Sequence, residues 1–175
     1  MRNFYLSERS TVYSTNCAVA TSHPLSTSTA INILKQGGNA IDAAISASAV
    51  LSVVEPTEAG LGGDCVALVA PKGETPPVAF NGCGFSPLRG KLEWFIENDY
   101  REIPSDSPHS VTIPGALDAW IKLHEKFGKL DFEELLQPAI NYAENGFVIH
   151  DRVYQSWEFA YKRLENDLIA KKIFL

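Results

Sequence analysis

The chain has 175 residues, 45% of them hydrophobic, and a formal net charge of −6. This length suits one domain or one large part of a bigger domain, and we expect no internal boundary between residues 1 and 175. Its 15 lysines and arginines are scattered along the chain, so no basic stripe exists to neutralise phosphates, and nucleic acid is not an expected partner.

The first predicted elements are a short strand and two helices. Residues 17–21 are predicted as the strand, and Pro24 opens an amphipathic helix that ends at Gly37. Asn39 is placed to cap a second helix, Ala40–Val54, in which eleven of the fifteen residues are apolar. A helix that is apolar nearly all round is buried on most sides, so this one predicts several surrounding layers.

A glycine-rich turn and a hairpin follow. The segment Gly60–Gly63 forms the turn, and residues 65–70 and 78–81 are predicted as two strands joined by a loop rich in proline and glycine. A phosphate-binding role for the turn is disfavoured, because it leads into a strand and not into a helix N-terminus. Residues 92–98 are then predicted as a short helix.

A longer helix is predicted to open at Pro114 and to close at Gly128. Its predicted solvent-exposed face carries Asp118 and Lys122 at a spacing that allows an ion pair. His124 lies on the apolar face, where a hydrogen-bonded core histidine is the favoured interpretation over a metal ligand.

The last predicted elements are two more helices. Asp131 is predicted to cap the first of them in a capping box with Glu134, and Gly146 is predicted to end it. Pro138 lies inside this helix and is expected to kink or split it. Apolar residues recur at helical spacing from Asp151 onward and predict the second helix.

The sequence contains no recognisable metal, membrane or secretion motif. No apolar run reaches the roughly 18 residues of a membrane span, and the N-terminus has no apolar core of signal-peptide length. We therefore expect a soluble cytoplasmic protein with no membrane partner. The cysteines lack the spacing of metal motifs, so we expect buried free thiols, no metal and no cofactor. These cysteines are Cys17, Cys65 and Cys83.

Candidate catalytic residues are few. The pair of Asp42 and Asp64 could act as acid and base. The favoured interpretation makes Asp42 a first-turn helix residue and Asp64 a turn residue that bonds local backbone. No serine lies in a Gly-x-Ser-x-Gly elbow. The residues alone therefore predict part of an α/β protein and no active site.

Five segments, in this order and spacing, resemble the N-terminal part of the gamma-glutamyltranspeptidase family. The resemblance covers roughly residues 17–155 and is specific because all five segments fit together. The segments are Ala20–Leu25, Leu34–Ala44, Val53–Gly63, Ser110–Ala116 and Leu135–Phe147.

The resemblance implies a fold and a chemistry. Family members are N-terminal-nucleophile hydrolases with a four-layer αββα sandwich, so this chain would be the helix-rich N-terminal portion of an α/β (α+β) fold. Their precursor cuts itself, and the new N-terminal threonine attacks an amide with its own α-amino group as base. No such processing site stands in this sequence, so we expect no catalytic residue here. The implied partners are a C-terminal remainder or small subunit and a small-molecule amide, and the implied context is glutathione metabolism.

One departure from the family pattern concerns the substrate. When the sequences are matched on Pro87, Cys83 stands where the family's transpeptidases carry an arginine that grips the glutamate α-carboxylate. The neighbourhood is more similar to that of the family's amidohydrolases and acylases. The resemblance thus implies a substrate-binding role for Asn81, Cys83 and Gly84, and Arg89 is a candidate to replace the missing arginine.

Two functions remain open on the sequence. The chain is either the N-terminal part of an amidohydrolase that cleaves or transfers an acyl group, γ-glutamyl included, or a non-catalytic structural or binding subunit from a split or truncated gene. In both cases the chain alone is expected to be inactive. A third interpretation, a nucleotide-binding module, is disfavoured by the glycine-rich turn described above.

Overall fold

Seven α-helices and one two-stranded sheet form the regular structure of residues 10–105 and 107–175, the part of the chain that the computed structural model describes. The strands are β1 (Cys65–Val69) and β2 (Val78–Gly82). The helices are α1 (Pro24–Lys35), α2 (Ala40–Val54), α3 (Leu92–Glu97), α4 (Ala116–Phe127), α5 (Phe132–Asn145), α6 (Asp151–Asn166) and α7 (Leu168–Phe174). Within these residues, no helix combines the length and the apolar character that crossing a membrane requires.

The corner between α1 and α2 follows its sequence signals. Gly37 has a φ of 95°, a left-handed conformation that residues with a Cβ rarely adopt. The side-chain oxygen of Asn39 accepts hydrogen bonds from the N–H groups of Ile41 and Asp42 at 2.8 and 3.1 Å. Asp42 in turn accepts the N–H of Asn39 at 2.9 Å, which completes a capping box. The predicted helix Ala40–Val54 and its N-cap Asn39 are confirmed.

Helix α2 lies at the centre of the core and contacts α1, α4 and α5. Its small side chains permit close packing: Ala43, Ala47 and Val50 are buried. The hydroxyl of Ser26 on α1 donates to the carbonyl of Ala47 at 2.9 Å, so this buried hydroxyl has a partner at the contact. The predicted burial of α2 is confirmed, and helices of this same chain provide it.

The carboxylate of Asp42 also ties α2 to the connection between α4 and α5. It is fully buried and accepts the N–H groups of Lys129 and Leu130 at 3.0 and 3.4 Å, in addition to that of Asn39. His124 completes this contact, with its Nε2 2.6 Å from the Leu130 carbonyl oxygen, as expected for a hydrogen-bonded histidine. A buried carboxylate is tolerated only with such partners, so Asp42 has a structural role.

The two strands form an antiparallel hairpin in which Cys65 is opposite Gly82. One face of the hairpin contacts α4, while the opposite face leaves Val66 and Leu68 with 72% and 74% of their surface exposed. Both outer edges of the ribbon are unpaired within the described part of the chain. A two-stranded ribbon is marginally stable in water, so this face is suited to contact with further structure.

Two predicted starting points are wrong. Residues 17–21 form no strand, because none of the described segments pairs with them and a strand requires a partner. Pro114 does not open α4, which begins at Ala116 after Gly115. The reason is that the N–H groups of Gly115 and Ala116 both bond to the carbonyl of Gly63, which holds the chain non-helical up to that point.

Helix α5 also departs from its prediction. Asp131 is the N-cap residue, but its side chain makes no capping bond, and its backbone carbonyl accepts the N–H of Glu134 at 3.0 Å. The predicted capping box is therefore absent. Pro138 does not split the helix, which runs continuously past it and loses one backbone hydrogen bond there. The helix ends at Gly146, with a φ of 78°, as predicted.

The three cysteines are free, as expected, but their predicted burial is wrong. Cys17 and Cys83 are exposed and Cys65 is half-buried. Cys17 and Cys83 both lie outside the helices and strands, in segments that no described layer covers, whereas Cys65 lies in β1 on the face toward α4.

Candidate functional site

The segment that follows β2 meets two other parts of the chain at the open end of the hairpin. The carboxylate of Asp64 accepts the N–H of Gly84 at 2.8 Å and the hydroxyl of Thr112 at 3.4 Å. The N–H of Ile113 donates to the carbonyl of Phe85 at 3.0 Å. The expected local role of Asp64 is wrong, since its partners are 20 and 48 residues away. The name hairpin junction is used below for residues 60–64, 81–86 and 111–116.

Close backbone approaches fix the geometry of the hairpin junction. A Cβ on Gly84 would lie 1.6 Å from the carbonyl oxygen of Ile113, and a Cβ on Gly115 would lie 2.3 Å from the carbonyl oxygen of Gly82. Both distances are far too short for a side chain, so both positions require glycine. The backbone after β2 is thereby held against the start of α4.

The glycine-rich turn closes the N-terminus of α4. The carbonyl of Gly63 accepts the N–H groups of Gly115 and Ala116, both at 3.0 Å, and the N–H of Gly63 donates to the carbonyl of Gly60 at 3.2 Å. Of these donors only the Gly63 N–H belongs to the turn, and it already has an acceptor within the protein, so it is not offered to a phosphate. Its role is to connect the hairpin to α4.

The structure brings three of the four predicted substrate-binding residues into one turn. The side-chain oxygen of Asn81 accepts the N–H of Cys83 at 3.0 Å, and Gly84 bonds to Asp64 as described. The side chains of Asn81 and Cys83 are exposed, whereas Gly84 is half-buried. Arg89 is not part of this turn, because it lies further along, in an exposed segment that lines a hollow beside α3.

The hollow beside α3 has a volume of about 690 Å³. Four aromatic rings pack next to it, and all six ring pairs have centroid distances between 4.9 and 5.8 Å. These rings belong to Trp94, Phe95, Tyr100 and His109. The name aromatic hollow is used for this feature. Sequence reasoning missed it, although four rings within sixteen residues are a compositional signal.

The half-buried thiol of Cys65 lies at the base of the hairpin junction. Burial raises the pKa of Cys65, the neighbouring Cys83 adds to the increase, and a hydrogen bond with Trp120 opposes it. A raised pKa keeps the thiol protonated and makes it a weak nucleophile. Cys65 therefore fits a packing role better than a catalytic role.

A histidine pair joins α1 to α6, away from the junction. The Nδ1 atoms of His23 and His150 accept the N–H groups of Leu25 and Arg152 at 3.1 and 3.0 Å, and the two ring centroids are 4.4 Å apart. Burial lowers the pKa of His23, His150 acts in the same direction, and Glu55 opposes both. Sequence reasoning missed the pair, although each histidine directly precedes a helix. Among the residues described, no three or more His, Cys, Asp or Glu are grouped to hold a metal.

Comparison with known proteins gives one consistent family. The family model for gamma-glutamyltranspeptidase matches residues 26–175. The capsule biosynthesis protein CapD proenzyme of Bacillus anthracis is 36% identical over 157 residues, which are 87% of this chain and 26% of that protein.

Two solved structures show the same similarity in three dimensions. Helicobacter pylori gamma-glutamyltranspeptidase matches 95% of this chain and 48% of its own, with a TM-score of 0.86 and 28% identity. Cephalosporin acylase from Bacillus halodurans matches 94% of this chain and 31% of its own, with a TM-score of 0.85 and 40% identity. The chain thus spans about a quarter of the length of the curated relatives that it matches.

Proposed function

The chain belongs to the gamma-glutamyltranspeptidase family, and on that premise we propose that it is the N-terminal part of an amidohydrolase or acyltransferase of the N-terminal-nucleophile class. In this proposal residues 1–175 are one portion without an internal boundary. The threonine nucleophile lies in a C-terminal remainder or small subunit, where its α-amino group acts as the base. The complete enzyme cleaves or transfers the acyl group of a small amide, and this chain alone is inactive.

The hairpin junction is the observation that carries the proposal. It holds a short segment rigidly, through the Asp64–Gly84 bond and the close approach of Gly84 to Ile113. On this fixed backbone the polar side chains of Asn81 and Cys83 are exposed. Polar groups that face outward from a rigid backbone are suited to orient a substrate, and in this proposal they form one wall of the site.

The proposed acyl group follows from Cys83. A thiol lacks the two parallel N–H donors with which a guanidinium binds a carboxylate. Losing such a contact costs about 1.5–3 kcal/mol, or roughly ten- to a hundredfold in binding. We therefore propose that the preference of the enzyme for γ-glutamyl donors is weakened.

The proposed partner surface is the exposed face of the β1–β2 hairpin. Its apolar side chains Val66 and Leu68 are about three-quarters exposed, and its edges are unpaired within the described part of the chain. In the proposal, the C-terminal remainder or small subunit covers this face and continues the sheet. The cytoplasmic location expected from the sequence is part of the same proposal, and fractionation of the native cells tests it.

A chimera tests the proposed function. This chain replaces the matching N-terminal region of the Bacillus halodurans cephalosporin acylase, the 40% identical structure. We expect the chimera to mature by self-cleavage and to hydrolyse chromogenic acyl anilides, while the 175-residue chain alone does not. Amide hydrolysis by the pure chain that is abolished by a hairpin-junction substitution would overturn the proposal. A folded, cleaved chimera without activity on any acyl anilide would instead favour the non-catalytic subunit.

A substitution at Cys83 tests the acyl preference in the same chimera. Cys83→Arg should raise kcat/KM for a γ-glutamyl anilide roughly ten- to a hundredfold, relative to an acyl anilide without an α-carboxylate. Cys17→Arg is the matched control, since Cys17 is also exposed and lies outside the junction. An equal change in both variants, or none in either, would contradict the assigned role of Cys83.

A further inference from the structure

The aromatic hollow has an apolar wall that its own packing makes rigid. Trp94, Phe95 and His109 line it, and each is held by ring contacts with the other two and with Tyr100. The aliphatic side chain of Leu88 adds to the lining and is 89% exposed. These ring contacts are already made without a ligand, so the wall needs no rearrangement of the four rings to receive one.

Two cations flank this wall. Arg89 and Lys91 line the hollow and are exposed, and neither side chain forms an ion pair or hydrogen bond with another described residue. No acidic residue is among the described residues that line the hollow. Cations beside an apolar wall, with no carboxylate in the described lining, favour an anion joined to an apolar body.

The aromatic hollow adjoins the hairpin junction at both ends of its own segment. Ser86 lines the hollow and directly follows Phe85, and Val111 lines it from the other end and directly precedes Thr112. The carbonyl of Phe85 and the hydroxyl of Thr112 both take part in the bonds of the junction. A ligand in the hollow would therefore lie beside the candidate substrate wall.

We propose that the aromatic hollow binds a carboxylate that is attached to an aromatic or aliphatic body. The anion lies on Arg89 and Lys91, and the body packs against Trp94. The volume of about 690 Å³ lies within the range of small-molecule sites, roughly 300–1,000 Å³. The assigned role of this ligand, the distal part of the acyl group of the amide substrate, rests on the proposed function.

Binding of hydrocinnamate to the full 175-residue chain tests this site. Its carboxylate and phenyl ring match the two features of the hollow, and hydrocinnamyl alcohol and propionate each lack one of them. We expect saturable NMR shifts of the indole N–H resonance that Trp94→Phe removes. Each probe that lacks a feature should bind roughly tenfold more weakly or worse. No saturable shift with hydrocinnamate, or equal binding of the alcohol, would overturn the proposal.

Charge substitutions locate the site. The double variant Arg89→Gln/Lys91→Gln should weaken hydrocinnamate binding roughly tenfold or more. The matched control is Arg101→Gln, because Arg101 is exposed in the same segment between β2 and α4 and does not line the hollow. Equal weakening in both would show general charge attraction and overturn the assignment. This binding experiment does not require catalysis. If the chimera is active but the chain does not bind hydrocinnamate, only the present inference is refuted. If the chain binds hydrocinnamate but the chimera is inactive, only the proposed function is refuted.

Discussion

Replacing Gly84 with alanine is expected to open the hairpin junction. The added Cβ would lie 1.6 Å from the Ile113 carbonyl oxygen, and Cβ contacts below 3.0 Å are essentially never found, so the two segments must separate by about 1.4 Å. That movement breaks the bond from Gly84 to Asp64 at 2.8 Å and the bond from Ile113 to Phe85 at 3.0 Å. A bond to a charged acceptor contributes about 1.5–3 kcal/mol and a neutral one about 1 kcal/mol. Because Asp64 is exposed, we expect the low end of the sum of the two bonds, a loss of about 2.5 kcal/mol.

Urea unfolding followed by circular dichroism measures this loss. Gly62→Ala is the matched control, because a Cβ at Gly62 has no atom within 4 Å and its backbone is not left-handed. The control should be unchanged, or more stable by about 0.4–1 kcal/mol through a stiffer unfolded chain. Hydrogen exchange at the Ile113 N–H should accelerate only in the Gly84→Ala variant. Equal stability of the two variants, or unchanged exchange at Ile113, would refute the reasoning.

Two further predictions concern the helical part. Asp42→Asn should lower the free energy of unfolding by about 3 kcal/mol, because an amide NH₂ replaces an acceptor among three N–H donors at a fully buried site. The control is Asp118→Asn, which breaks the exposed 2.6 Å pair with Lys122 and should cost less than about 0.5 kcal/mol in the same urea titration. If the two variants lose similar stability, the role assigned to burial is contradicted. His23 has a lowered pKa in the folded state, so as the pH falls the unfolded chain binds a proton at this residue before the folded chain does. The stability that is present above pH 6.5 is therefore lost as the pH falls below that value. His23→Asn keeps a capping oxygen and should reduce the change in the urea midpoint between about pH 7 and about pH 5. An unchanged pH dependence of the midpoint would contradict this linkage.

The sequence predicted those features that depend on neighbours along the chain. Gly37 and Asn39 set the corner between α1 and α2 through their own conformation and their nearest N–H groups. The role of Asp42 was seen only in part, because its partner Lys129 is 87 residues away. Pattern reasoning has no access to such a distance. The same reason explains the wrong prediction of a strand at 17–21. The apolar run can be read from neighbouring residues, but a strand also needs a partner that lies elsewhere in the chain.

The candidate site depended on the resemblance more than on the chemistry of its residues. Asn81, Cys83 and Gly84 carry no pattern that marks a substrate wall, and only their alignment with a known family selected them. The structure adds Asp64, which the sequence had assigned to a local turn and which in fact holds Gly84 from across the hairpin. It also separates Arg89 from this turn and gives it different neighbours, among them Trp94.

The helical and sheet parts of the chain differ in how completely they are covered. Helix α2 packs against α1, α4 and α5, whereas β1 and β2 have one covered face and two open edges in the described part of the chain. The hairpin junction lies where these two parts meet, since its bonds join the hairpin to the start of α4. At this boundary the hairpin junction is held in place by its bonds to α4, while its outer side remains open among the described residues. That placement explains how Asn81 and Cys83 are both fixed in position and exposed, as the proposed substrate wall requires.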